Sequence, residues 1–390
     1  MVIFQRMVSF FSSLASSFPS LYENGPPDYA CYRKWRRGFS MKSLLTCLSL
    51  MVLGIGTALF IGFHDRFSTE EPYYDDEQEG LKDQMVFKFS HVVAENTPKG
   101  RAANKFADLV YQKSGGTIKV EVFPNGSLYS DNEEINALQN GDVQFIAPST
   151  SKLGSLSPEW GVLDLPYAFT NYKAVQEGLN GKIGTRLFAS LEKHHLKGLA
   201  YWTNGFKQLT SNKGPIFSPD DLKGQALRIM PSSVIEDQYR LLGAHPRQDS
   251  FNSTFQLLES NLVDGEENTI SNIYSKKFYN VQDYLTISNH GYLGYAVMTD
   301  EHFWNSQTEK TRTILTEAMR ETTEWNEASA EKMNKDQLEE IKKNSSIHIH
   351  VLSKAEKNTW MKRLDPIYGQ YEQVIGRGLV QDLLSLRREP

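Results

Sequence analysis

From Val86 onward, apolar positions fall into short alternating or continuous runs separated by stripes at helical spacing. Residues 86–90 read as a strand. Thr97 and Pro98 then supply a cap and a first helical residue, and Phe106, Leu109 and Val110 form a stripe on one helix face. Ser114, Gly115 and Gly116 stop that helix. Ile118, Val120 and Val122 alternate with Lys119 and Glu121, the period of a half-buried strand. Asp131, followed three residues later by Glu134, resembles a capping box that opens the next helix. Ile135 and Leu138 face its core, and Gly141 ends it. Residues 143–147 predict a third strand, with a loop over 148–151. Strand, helix, strand, helix, strand predicts an α/β unit with a largely parallel sheet.

The same order recurs from Ala226. Residues 226–229 form a strand, and Ser232 or Ser233 caps a helix carrying Ile235, Tyr239 and Leu242, closed by Gly243. A segment through Pro246 leads to a helix near 253–261, with Phe255 and Leu258. Residues 263–268 (VDGEEN) then occupy the place that 143–149 hold in the first unit. The repetition is one of architecture, not of strong sequence identity. Two equivalent α/β units imply a cleft between them, a usual location for a small-molecule site. Residues 307–344 contain no Pro or Gly and predict one long helix that can run across both units. Ile314, Ala318, Trp325 and Met333 form its apolar stripe. Ile347, Ile349 and Val351 alternate as one more strand, and the remainder, with Trp360, Leu364, Tyr368 and Tyr371, reads as helical.

Upstream of this body the pattern changes. Residues 44–63 form one apolar run without charge, preceded by Arg33, Lys34, Arg36, Arg37 and Lys42. A basic flank before an apolar core is the pattern of an export signal. The run, about 20 residues, is also long enough to span a bilayer as a helix. Residues 1–63 therefore read as an N-terminal extension plus either a signal peptide or a membrane anchor, with Met41 an ordinary start for a signal. The Arg36-Arg37 pair also resembles a twin-arginine signal. In each case the positive flank leaves the body outside the cytoplasm. Residues 64–84, with Glu70, Glu71, Asp75, Asp76, Glu77 and Glu79 around Pro72, read as an acidic linker.

Composition narrows the chemistry. The 390 residues suit two domains of ordinary size. A net charge of −5 disfavours a nucleic-acid partner. The two cysteines, Cys31 and Cys47, both precede the body, which can hold neither a disulfide framework nor a Cys-ligated metal site. The sequence has no nucleotide-binding loop, no G-x-S-x-G elbow and no H-E-x-x-H. His348 and His350 share one strand face, a pairing that predicts a structural or surface role.

Several stretches now stand together in order: FSHVVAENTPKG at 89–100, DLPY at 164–167, NGFK at 204–207, LRIMPS at 227–232, VDGEEN at 263–268, YSKKFY at 274–279 and NHGY at 289–292. In combination they resemble the DctP-type solute receptors of TRAP transporters, from residue 85 to the last thirty residues. The resemblance implies an α/β, two-lobed periplasmic-binding-protein-like fold with crossing hinge strands and a long lobe-spanning helix. Lobe I is then 85–204 with 294–333, and lobe II is 205–293 with 334–390. It also implies that Arg228, in the pattern R-x-x-P-S, forms a two-point salt bridge with a ligand carboxylate, and that the amide of Asn268 supports the same carboxylate. Where some branches carry a second arginine, in N-G-x-R, this chain has Lys207, a point charge instead of a planar fork. Residues 90–100 are similar to the dicarboxylate branch, which makes His91 and Lys99 candidates for a distal carboxylate. Ser149, on the loop after the third strand, is a further first-lobe candidate.

Physical chemistry agrees with that assignment. A guanidinium presents parallel N–H donors at the spacing of carboxylate oxygens. A dicarboxylate needs a second cationic or donor group on the opposing lobe. The expected function is capture of a C4-dicarboxylate (malate, succinate or fumarate) by lobe closure in the periplasm, and delivery to the small and large subunits of a TRAP membrane permease. No catalysis, cofactor or metal is implied. The membrane is met only through the signal or anchor, or by docking on the permease. A receptor for a sugar acid, 2-oxo acid or aromatic acid, and a membrane-anchored ligand sensor, are the alternatives.

Overall fold

The structure is a computed structural model and describes residues 45–46, 49–57 and 84–387. The chain divides into two compact units, Met1–Asp76 and Glu77–Pro390. In the first, the described residues are helical, and Leu50, Val52, Leu53 and Ile55 are exposed. Among the described residues no helix is long and apolar enough to cross a membrane. The signal or anchor expected over 44–63 lies partly outside the described residues, and the linker expected over 64–84 lies outside them except for Gln84.

The second unit is organised by nine strands: β1 (Met85–Ser90), β2 (Ile118–Phe123), β3 (Phe145–Ile146), β4 (Leu196–Ser211), β5 (Ala226–Ile229), β6 (His245–Gln248), β7 (Gly265–Thr269), β8 (Tyr284–Asp300) and β9 (His348–Val351). Their order is β2-β1-β3-β8-β4-β7-β5-β6, with β9 pairing β8 off that path. The duplication expected from the sequence is visible in the pairing. β1 lies parallel to β2 and β3, and β5 lies parallel to β6 and β7. Each trio is flanked by one long antiparallel strand, β8 beside β3 and β4 beside β7. The two long strands pair with each other. They are the crossing strands of a two-lobed fold.

Local signals explain most helix starts. In α1 (Pro98–Lys113) the Thr97 hydroxyl accepts the Gly100 N–H at 3.1 Å, with Pro98 in the first turn. The start of α2 (Glu134–Gln139) departs from the expected capping box. Asp131 does not cap it and Glu134 does not reach back. Instead Glu133 accepts from the N–H and hydroxyl of Ser130, one residue earlier. That shift frees Asp131 and Glu134 to turn inward, and both are buried. The third strand is shorter than expected, because only Phe145 and Ile146 pair along β1. Helices α3 (Tyr172–Leu179) and α4 (Lys182–Leu191) follow. Ser232 caps α5 (Ser233–Leu241), accepting from Ile235 N–H. Short helices α6 (Thr254–Glu259), α7 (Ile270–Ser275) and α8 (Glu301–Ser306) lead to the long helix α9 (Glu309–Asn344).

At 36 residues, α9 is about 54 Å long. Its buried line runs through Ile314, Ala318, Thr322, Asn326, Ala330 and Asn334. The sequence reading placed Trp325 and Met333 there, and both are half-buried. The reason lies beneath the helix. β4 is irregular against β8 between Thr203 and Gly205, where the ladder leaves backbone groups to be satisfied. Asn326 accepts from Thr203 N–H at 2.7 Å and donates to Thr203 O at 3.2 Å. Asn334 donates to Asn204 O at 2.7 Å and accepts from Ser271 N–H at 3.0 Å. Gly205 has φ +148°, and a Cβ there would lie 3.0 Å from the Asn334 amide nitrogen.

The apolar core continues through both halves. Phe89 stacks on Trp202 at 5.7 Å, and Phe106 meets Phe145 edge-on at 5.4 Å. After β9 come α10 (Lys354–Leu364), α11 (Pro366–Ile375) and α12 (Arg377–Leu386). Ile367, Ile375, Leu379 and Leu383 share one core with Trp160, Leu179 and Leu187. The last two helices, assigned from the sequence to the lobe of 205–293, therefore also brace residues drawn from 85–204.

Candidate functional site

Strand parity builds the second-lobe wall. Arg228 on β5 stands opposite Glu266 on β7, and Glu266 and Asn268 point to the same face because successive side chains alternate. All three are buried. Arg228 Nε and Nη2 donate to the carbonyl of Asp249 at 3.1 and 2.8 Å, while Nη1 has no hydrogen-bond partner. The Asn268 amide donates to Glu266 at 2.9 Å, and its oxygen accepts from Asn272 at 2.7 Å and from Thr269 N–H. Burial pushes the Arg228 pKa down, against the pull of Glu266 and Asp131. Burial likewise pushes Glu266 up to about 7, with the Arg228 charge acting against it.

Ser149 and Lys152 supply the first-lobe wall, with Asp131 and Glu134. The Ser149 hydroxyl has no partner. Lys152 Nζ lies 2.8 Å from Asp131 Oδ2 and also donates to the Asp131 carbonyl. Between the walls is a cavity lined by Val92, Ser149, Lys152, Arg228, Asn268 and Tyr295, among others. Its free volume is about 30 Å³, room for a water but not for a dicarboxylate, so a ligand needs the two walls to part. Across the cleft, Asp131 Oδ2 also accepts from Phe251 N–H at 3.2 Å, and Lys276 donates to the Asn125 side chain at 3.3 Å.

Three of the six residues singled out from the sequence, Arg228, Asn268 and Ser149, line this cavity together. The other three do not. Lys207 Nζ lies 2.8 Å from Glu267, both nearly inaccessible. Glu267 in turn contacts His290 at 3.0 Å and Tyr239 at 3.1 Å. Lys207 is paired with a carboxylate of its own chain because Glu267 has the opposite parity to Glu266 and Asn268. Burial would raise the Glu267 pKa, but the Lys207 charge and the His290 contacts hold it down to about 2. Lys99 donates to Ala147 O at 2.9 Å and sits 3.8 Å from the centroid of the Tyr295 ring, behind the cavity wall. Burial pushes it down to about 8, against Glu134 and Asp131. His91 is wholly buried with neither ring nitrogen hydrogen-bonded. Burial and then the Lys99 charge push it down to about 3, the Val93 backbone acting the other way.

Sequence reasoning missed Asp131, Glu134 and Lys152 as cavity residues. The first two had been assigned to a helix cap, and Lys152 lies only three residues beyond Ser149.

A buried guanidinium with an open donor on one wall, faced by a hydroxyl and an ammonium on the other, between two matching α/β halves, defines a receptor for a small organic anion. Residues 89–374 match the bacterial extracellular solute-binding protein family 7, DctP, and the chain belongs to that family. It is 77% identical over 349 residues to the C4-dicarboxylate-binding protein DctB of Bacillus subtilis (strain 168), covering 90% of this chain and 100% of that protein. A TRAP periplasmic solute-binding protein from Shewanella oneidensis, solved with bound succinate, superposes with a TM-score of 0.76 at 38% identity, covering 78% of this chain and 100% of that one. Another from Pseudomonas aeruginosa, with bound L-malate, gives 0.72 at 38%, covering 74% and 100%. Members of the family are solute-binding proteins, not enzymes.

Proposed function

We propose that this protein captures a C4-dicarboxylate such as succinate, malate or fumarate between its lobes and hands it to a TRAP permease of small and large membrane subunits. The observation that carries this reading is the free Nη1 of Arg228, buried in the cavity wall beside Asn268. Arg228 and Asn268 take one carboxylate. Ser149 and Lys152 receive the far end of the ligand from the first lobe, and Lys99 supports that wall as a buried charge behind Tyr295. The lobes are 85–204 with 294–333 and 205–293 with 334–390, with α11 and α12 bracing both. The protein acts outside the cytoplasmic membrane, carried there by its N-terminal segment as a cleaved signal or retained anchor. It carries out no chemical transformation and takes no cofactor.

The relatives' ligands support the four-carbon length, succinate in one structure and L-malate in another. A thermal-shift panel of carboxylates tests the reading. A ligand at a thousand times its Kd should add about 4 kcal/mol of stability. Succinate, malate or fumarate should shift the melting temperature more than monocarboxylates do. An equal shift by monocarboxylates defeats the assignment.

A further inference from the structure

Glu134 is an acidic group in the wall of an anion site, where an ionised carboxylate would repel the ligand. It opens α2, is wholly buried and lines the cavity. Its Oε1 lies 3.5 Å from the Ser90 hydroxyl, and its Oε2 has no partner. The groups that face it are Ser90 from β1, Lys99 from α1, Asp131 from the preceding turn, Lys152 from the segment after β3, and Tyr295 from β8. Neither cation is bonded to it. Lys99 is committed to the Ala147 carbonyl and the Tyr295 ring, and Lys152 to Asp131.

An unpaired carboxylate in such a site is strongly disfavoured once a dianion enters a low-dielectric cavity. A protonated carboxyl, by contrast, is a hydrogen-bond donor. We propose that Glu134 is a specificity-determining residue of the ligand site, binding as the neutral acid and donating its O–H to the second carboxylate of the ligand. This rests on the dicarboxylate reading and deepens it. The proton is drawn from solvent, and no covalent bond is made or broken. Burial already pushes the Glu134 pKa up to about 7, with Lys99 and Lys152 pulling the other way. The empty receptor near neutral pH therefore holds both forms, and the ligand selects the protonated one. By linkage, binding takes up a proton and weakens as pH rises above 7. A monocarboxylate held by Arg228 alone does not sense Glu134.

Calorimetric titration of the full chain with succinate, between pH 6 and 8 and in two buffers of different ionisation enthalpy, tests this. The expected result is proton uptake at pH 7 that grows toward pH 8, with Kd rising about tenfold from pH 6 to 8. Glu134→Gln keeps a donor that does not titrate. Its Kd for succinate should vary less between pH 6 and 8 than the wild type's, with less proton uptake at pH 8, any remaining dependence being that of Glu266 beside Arg228. Succinate binding by the wild type without proton uptake overturns the inference alone. So does a Glu134→Gln protein that retains the wild-type slope, or that is folded and does not bind. A wild type that does not bind succinate at all overturns the dicarboxylate reading, and this inference with it.

Discussion

Arg228 and Asp249 are locked together by two hydrogen bonds to one oxygen, Nε at 3.1 Å and Nη2 at 2.8 Å from the Asp249 carbonyl. A carbonyl orients a guanidinium without neutralising it. The planar group is therefore held in one rotamer with Nη1 free of any hydrogen-bond partner, while Glu266 and Asp131 act on its charge without bonding to it. Lys207 is the contrasting case, a buried cation already matched by the carboxylate of Glu267. The first arrangement suits an incoming anion, and the second suits a fold.

Arg228→Lys should remove the guanidinium fork proposed to hold one ligand carboxylate while keeping a positive charge. Hydrogen bonds to charged groups are worth about 1.5–3 kcal/mol, so dicarboxylate affinity should fall at least about tenfold for Lys and further for Ala. Calorimetric titration measures the loss, and circular dichroism should show an unchanged fold. A variant binding as tightly as the wild type would remove Arg228 from the site.

Lys207→Ala should act on stability first. It removes the cation paired with buried Glu267 and leaves that carboxylate only its His290 and Tyr239 contacts, where breaking a buried pair typically costs about 3–5 kcal/mol. Urea denaturation reads that loss, and a Lys207→Ala, Glu267→Ala cycle should recover a substantial coupling energy. Low pH should mimic the change. Glu267 has a folded pKa of about 2, below its unfolded value, so its contribution is present above the unfolded pKa and is lost as pH falls toward 2.

His91 should make the protein acid-sensitive. Its folded pKa of about 3 lies below the ordinary 6.5, so below pH 6.5 the unfolded chain gains a proton that the folded chain refuses. Stability then declines as pH falls from 6.5 toward 3, by on the order of 2 kcal/mol down to pH 5. His91→Gln should lose that part of the pH dependence in denaturation curves at pH 7 and pH 5. An identical slope in the variant would show that His91 does not titrate this way.

Asn334→Ala should loosen the junction between α9 and the bulge in β4. It leaves the Asn204 carbonyl and the Ser271 N–H unsatisfied, at roughly 1–3 kcal/mol for each buried group that water cannot reach. Thermal unfolding measures the loss. Hydrogen exchange should rise at the Ser271 amide, which loses its acceptor, while the amides of β1 stay protected.

Much of this was legible in the chain. The cap at Thr97, the strand over 226–229 and the cap at Ser232 are local, since the hydrogen bonds concerned span three residues and their donors and acceptors are adjacent in the sequence. Arg228 and Asn268 were singled out by motif resemblance and Ser149 by its place on the loop after the third strand, and all three line one cavity. The long strands β4 and β8 left no alternating signal, because most of their residues are buried on both faces. Asp131 and Glu134 misled because an acidic pair at this spacing suits a helix start equally well, and the competing Ser130–Glu133 pair stands one residue away.

The sequence by itself determined the two α/β units and the long helix, because periodicity and capping depend on neighbours a few residues apart, and its motifs marked the arginine to watch only through their resemblance to a family. Only the tertiary structure decided which cations remain free. Lys207 met Glu267 across 60 residues of chain, Lys99 met the Ala147 carbonyl across 48, and Arg228 met the Asp249 carbonyl instead of a carboxylate. Those pairings depend on strand parity and burial, which arise only when distant segments are packed together. They separate a cation matched by a carboxylate of the fold from one bonded only to a carbonyl.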